Sequence, residues 1–142
     1  MGAIAIASDH AGYTLKERII LVLRDSGRQV MDLGTHSTES VDYPDYAALV
    51  ATAVKDGRAE RGILICGTGT GMGIAANRFA GIRAAVCHDS TTARLARQHN
   101  NANILALGAR IIGEEVARDC VAVFLATSYE GGRHERRLAK IL

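Results

Sequence analysis

A cysteine followed by a glycine run is where chemistry concentrates in this sequence. Cys66 closes an apolar stretch, and Gly67-Thr68-Gly69-Thr70-Gly71 follows it directly. Unpaired backbone N–H groups at a helix start favour negative charge, so a thiolate placed there could serve as a nucleophile or a base. The glycines present N–H groups with no Cβ in the way, which suits a phosphate or a developing oxyanion. The competing reading is an inert core thiol, because buried cysteines behave as small apolar residues. The loop runs into Met72-Gly73, not the Gly-Lys-Ser/Thr of a P-loop, and Met72 stands where a Cys-x5-Arg phosphatase loop needs arginine. Gly71-Met72-Gly73-Ile74-Ala75-Ala76 does fit the dinucleotide pattern G-x-G-x-x-A, with Asp89 where a ribose-binding acid would follow.

Three further groups carry usable side chains. Asp9 and His10 follow the first apolar run; Asp9 reads either as a helix cap or as a site residue. His99 and Asn100 fall between a helical pattern and an apolar run, where a histidine is either a plain surface residue or a general acid–base. Arg133 and Arg137 are four apart on one face of a final helix and, with His134, offer a cluster for a phosphate dianion; a solvated basic helix end is the alternative. Gly131-Gly132 ahead of them would let that tail swing away from the body and complete a neighbour's site. No H-x-E, H-E-x-x-H or C-x-x-C spacing occurs, and the five histidines are dispersed, so no metal or other cofactor is expected.

These residues need a scaffold, and the hydrophobic pattern supplies one. Apolar runs at 3–7, 29–33, 62–66, 83–87 and 104–107 alternate with helical periodicity, the 62–66 run being apolar enough for a central strand. Helices are expected after each: one stopped by Gly27, one opened by Pro44, a short one near 74–79, one capped by Ser90 or Thr91, one over 113–125, and a basic one from Arg133 to the end. The βα repetition predicts a Rossmann-like three-layer α/β/α sandwich on a five-stranded parallel sheet, formed by one domain spanning 1–142. Ligands of such folds sit beyond the carboxyl ends of the strands. Ser8, Asp9 and His10, Cys66 and its loop, His88 and Asp89, and Gly108 and Arg110 all follow strands.

The chain has 142 residues, 48% of them hydrophobic, and a net charge of +2 from 17 basic and 15 acidic side chains. That balance argues against nucleic acid or a membrane surface as partner. No apolar stretch approaches the ~20 residues of a membrane helix, and no signal peptide is expected. Three scattered cysteines suggest free thiols in a reducing, cytoplasmic setting.

Taken together, Ser8-Asp9-His10-Ala11-Gly12, Val41-Asp42-Tyr43-Pro44-Asp45, Ile65-Cys66-Gly67-Thr68-Gly69, Gly73-Ile74-Ala75-Ala76-Asn77-Arg78, Arg97-Gln98-His99-Asn100 and Glu130-Gly131-Gly132-Arg133-His134-Glu135-Arg136-Arg137 resemble the B-type ribose-5-phosphate isomerases. The wider family includes galactose-6-phosphate and allose-6-phosphate isomerases. The resemblance implies an aldose–ketose isomerase acting on ribose 5-phosphate and ribulose 5-phosphate through a cis-enediolate, without a metal. It implies Cys66 as the base moving a proton between C1 and C2, Thr68 as its hydroxyl partner, and Gly67, Gly69, Thr70 and Gly71 within the loop that holds the enediolate oxygen. His99 would open the furanose ring with Asp9 assisting, and Asn100 and Tyr43 would contact the sugar. His10 and Arg110, with Arg133 and Arg137 from a partner subunit, would clamp the phosphate, in a homodimer or dimer of dimers. One branch of the family uses a glutamate base in this loop; Met72 occupies that place here, which implies the cysteine chemistry. A six-carbon sugar phosphate as substrate, a non-catalytic nucleotide-binding module and a thiol redox protein are the alternatives.

Overall fold

The computed structural model describes residues 2–141. Within them the order is β1 (Ile4–Ser8), α1 (Tyr13–Asp25), β2 (Val30–Asp32), α2 (Tyr43–Lys55), β3 (Arg61–Cys66), α3 (Thr70–Ala76), β4 (Ala84–Val86), α4 (Ser90–Asn100), β5 (Ile104–Gly108), α5 (Glu114–Ala126) and α6 (Arg133–Leu138). The strands form one parallel sheet in the order β2-β1-β3-β5-β4. β3 is central, as its unbroken apolar run demands. None of the described helices is long and apolar enough to cross a membrane.

Side chains alternate across the sheet and build two cores. Ile4, Ile6, Ile63, Ile65, Leu105 and Leu107 face α1, α4 and α5, meeting Ile19, Leu23, Ala93, Val121 and Phe124. Ala5, Ala7, Leu64, Cys66, Ile104 and Ala106 face α2 and α3, meeting Ala47, Val50, Ala51 and Met72. Alanines on both sides of that second layer let α2 lie close on β1.

The chain runs from β1 out to β2, then returns to β3 on the other side of β1. The reversal leaves a crevice at the carboxyl ends of β1 and β3, the usual ligand position in an open α/β sheet. Asp9 N–H donates to the Ile65 carbonyl at 3.2 Å across it. Gly12 is held even closer, since a Cβ there would lie 2.3 Å from the Ile65 oxygen.

Four boundaries differ from the sequence reading. The short helix starts at Thr70 rather than near Ile74, because Gly69 takes a left-handed φ of 80° and turns the chain into a helix at once. α4 is capped by Asp89, not by Ser90 or Thr91; its Oδ1 accepts from Thr92 N–H at 2.7 Å. His99 and Asn100 lie in the last turn of α4, not in a loop. The final helix ends at Leu138, and Met1 and Leu142 lie outside the described residues.

Candidate active site

The carboxyl ends of the strands form one edge of the sheet, here called the upper edge, and the side chains expected there assemble on it. Cys66, only 5% exposed, ends β3. Its Sγ accepts a hydrogen bond from Gly69 N–H at 3.1 Å, so the loop directs a donor at the sulfur. Gly69 also leaves no room for a side chain, since a Cβ would stand 3.0 Å from the Leu107 carbonyl carbon. Gly108 is equally constrained from the β5 side, where a Cβ would meet the Thr68 backbone at 2.7 Å. Both glycines allow the loop to press onto the end of β5.

Thr68 Oγ1 accepts from Thr70 N–H at 3.2 Å, so the hydroxyl expected to partner Cys66 braces the loop. The Tyr43 ring lies over Gly71, where a Cβ would come within 2.6 Å of it. The Arg110 guanidinium lies over Gly67, and Arg110 N–H donates to the Gly67 carbonyl at 3.0 Å. His10 Nδ1 accepts from Val41 N–H at 3.2 Å, which leaves the other ring nitrogen of the neutral imidazole as a donor. Asp9 is buried, and its Oδ1 accepts from Gly12 N–H at 3.1 Å, so it braces the turn into α1 as well as facing the crevice. Asp9, His10, Tyr43, Cys66, Gly67, Thr68, Gly69, Thr70, Gly71 and Arg110 thus share one edge.

Two residues there escaped assignment from sequence. His88 Nε2 sits 3.2 Å from the Thr68 carbonyl and supports the Cys66 loop from β4. Ser8 Oγ is fully buried at the crevice without a hydrogen-bond partner among the described residues. Each follows or ends a strand, which is the signal that could have singled them out.

The remaining expected site residues lie at the opposite edge of the sheet within one chain. α4 runs antiparallel to the strands, so its 11 residues carry the chain about 16 Å from the upper edge. His99 and Asn100 therefore lie at the amino-end, or lower, edge of the sheet; the Asn100 carbonyl accepts from Arg83 Nε, just ahead of β4. Arg133 and Arg137 lie on the same edge, exposed and one turn apart. His99 and Asp9, expected to work as a pair, are kept apart within one chain. A residue in the last turn of a crossover helix must sit at the strands' amino ends, so this separation was implicit in the βα pattern.

The tail packs against the body of its own chain. Gly131 and Gly132, with φ of 67° and 60°, turn α6 back against α4. His134 is buried there, and its ring stacks on His99 with centroids 4.5 Å apart. Arg97, next to the expected site pair, is structural. Burial, and then Arg61 and Arg83 nearby, pulls it down to about 10. It bonds the carbonyls of Thr127 and Ala102.

The nucleotide-binding alternative loses its support. Gly71 and Gly73 lie inside α3 rather than in an open loop, and Gly73 is there to clear Val86, which a Cβ would approach to 2.7 Å. Asp89 is committed to capping α4.

The fold and the upper edge define a Rossmann-like α/β protein with a thiol set in a glycine loop at the topological switch point. The chain belongs to the ribose/galactose isomerase family, whose model matches residues 4–141. It is 51% identical to ribose-5-phosphate isomerase B of Escherichia coli (strain K12), over 99% of this chain and 95% of that protein. A solved ribose 5-phosphate isomerase of Thermotoga maritima is 57% identical, with a TM-score of 0.97 over 99% of this chain and 97% of that one. Ribose-5-phosphate isomerase B of Mycoplasma genitalium, solved with bound ribulose-5-phosphate, is 47% identical, with a TM-score of 0.93 over 98% of this chain and 93% of that one.

Proposed function

We propose that this protein interconverts D-ribose 5-phosphate and D-ribulose 5-phosphate by proton transfer at a site shared between two chains. The observation that carries the reading is the Cys66 thiol at the crevice between β1 and β3, facing the glycine loop with Gly69 N–H on its sulfur. In this reading Cys66 acts as a thiolate base. In the open-chain aldose that thiolate takes the proton from C2, and the electron pair moves onto O1 to give a cis-enediolate. The loop N–H groups hold the oxyanion, a contribution of about 3 kcal/mol per donor in comparable sites. Return of the proton to C1 gives the ketose. Thr68 moves the proton between O1 and O2. His10 and Arg110 bind the phosphate, far enough from C1 and C2 to orient the substrate without touching the reacting atoms.

Ring opening requires His99, and the phosphate clamp requires Arg133 and Arg137, all at the lower edge. A two-fold axis perpendicular to the strands brings the lower edge of one copy beside the upper edge of the other, and does so twice. The open edge strand β4 supports this arrangement: Val86 is 40% and Ile74 64% exposed beside it. Further down, Ile141 lines a concavity with Asn77, Arg83 and Asn100. An unpaired strand flanked by apolar side chains suits a second copy of the chain. In the dimer His99 and Asn100 of one chain meet Cys66 and Asp9 of the other.

The test is turnover of ribose 5-phosphate with EDTA present, wild type beside Cys66→Ala. The expected result is undiminished wild-type turnover and a loss of at least ~1,000-fold in the variant, the scale of removing a proton-transfer group. Cys66→Ala turnover near wild type would refute the thiolate mechanism. Wild-type turnover confined to six-carbon sugar phosphates would move the substrate assignment to the other branch of the family.

A further inference from the structure

The lower edge carries a side-chain cluster whose composition exceeds what proton transfer asks of it. One ring nitrogen each of His99 and His134 and one carboxylate oxygen of Glu130 all lie within 4.8 Å of one another. Glu130 Oε1 stands 3.6 Å from His134 Nε2 and 3.9 Å from His99 Nε2. Those distances exceed hydrogen-bond length, so the three atoms converge on a shared gap rather than on each other. Ligands held ~2.1 Å from a tetrahedral ion lie roughly 3.4 Å apart, which this cluster reaches by small side-chain rotations. The stacked rings, 20° from parallel, turn both Nε2 atoms toward the same carboxylate.

The backbone beneath is fixed. Glu130 N–H donates to the Gln98 carbonyl at 3.1 Å, tying the segment before α6 to the last turn of α4. Buried Arg97 bonds Thr127 on one side and Asn101 and Ala102 on the other. His134 is only 7% exposed, so its ring has one packed orientation. Two imidazoles and one carboxylate are borderline ligands that suit zinc, cobalt, nickel or copper and not magnesium or calcium. Three protein ligands leave further coordination positions to solvent.

We propose that His99, Glu130 and His134 bind a divalent transition-metal ion of the zinc class, and that its binding switches the isomerase off. The coordination bond takes the Nε2 lone pair of His99, the pair that would accept and return a proton at the sugar ring. The switch rests on the ring-opening role given to His99 above; the binding site does not.

Zn²⁺ and Co²⁺ are titrated into the full-length Cys66→Ala protein, in which the competing thiolate is absent, and into the same protein carrying Glu130→Ala or His134→Gln. The expected result is one ion per chain at micromolar concentration, Co²⁺ visible bands with no thiolate charge-transfer band, and at least tenfold weaker binding in both further variants. Wild-type turnover should fall on adding micromolar Zn²⁺ and return with EDTA, while Glu130→Ala should keep its turnover at the same concentration. Absent stoichiometric binding, or binding indifferent to both substitutions, overturns the site. Binding that leaves wild-type turnover unchanged overturns the switch, as does zinc inhibition undiminished in Glu130→Ala. A protein with no isomerase activity at all would refute the earlier reading, and the titration would still decide the site.

Discussion

Burial keeps two of the three thiols of this chain in their protonated form. It pushes the Cys87 thiol up, an effect that a hydrogen bond with Thr92 reduces and the charge of Asp89 reinforces. It pushes Cys120 up to about 11, helped by Cys87, Asp89 and Asp119. Cys66 differs in its place, at the end of β3 on the crevice, with the Gly69 N–H on its sulfur. Limited iodoacetamide near pH 7 should therefore label Cys66 first, and activity should fall in step with that label, as peptide mass spectrometry and parallel assays would show. Equal labelling of Cys87 or Cys120 would contradict the assignment. Cys66 is legible in the sequence because a thiol before five loop residues rich in glycine has few structural uses. The address of His99 is less legible: its type announces acid–base chemistry, but only the direction of α4 says which edge it reaches. Asp89 is ambiguous in the sequence for a related reason. An acid after a strand fits both a ligand and a helix cap, and only the bond to Thr92 N–H decides.

At the scale of elements, the β1–α1–β2 unit depends on an ion pair between a buried lysine and a partly buried aspartate. Lys16, fully buried on α1, donates to Asp32 Oδ1 at 2.7 Å and to Glu17 at 3.1 Å. Burial pushes the Asp32 carboxyl up, but the Lys16 hydrogen bond, the Gly34 N–H and the charges of Lys16 and His36 together hold it below the usual carboxylate value. A lowered folded-state value means stability that is present above the unfolded carboxylate range and lost as pH falls through the folded value. Asp32→Asn should cost about 2 kcal/mol near pH 7, the scale of a hydrogen bond to a charged group, since Lys16 keeps its contact with Glu17. Urea unfolding should also show a shallower loss of stability below about pH 4 in the variant than in the wild type. Equal stability at pH 7 would contradict the role of the pair. The hydrophobic pattern shows α1 but hides Lys16, since a lysine on the apolar face looks like an interruption until Asp32 is found across from it. The start of α3 is hidden similarly: three glycines in its vicinity lower helix propensity, and only the left-handed Gly69 fixes where the helix begins.

The molecule as a whole divides its candidate site. The strand order and the central place of β3 follow from apolar runs that any reader of the sequence can mark, and the crevice between β1 and β3 follows from that order. The split does not show in the motif blocks, because motifs give residue types without the 16 Å that a helix of α4's length (about 1.5 Å per residue) puts between them. An upper edge with the thiol and a lower edge with His99 and the arginines can act on one substrate only if two copies combine. Co-expression and purification of tagged Cys66→Ala and Arg137→Ala chains as mixed dimers is the most direct measurement. In each mixed dimer one site carries both substitutions and the other carries neither. Each variant alone should be nearly inactive, and the purified mixed dimers should regain about half of wild-type turnover, since one of their two sites is intact. Verified mixed dimers with no recovered turnover would contradict a site built from two chains.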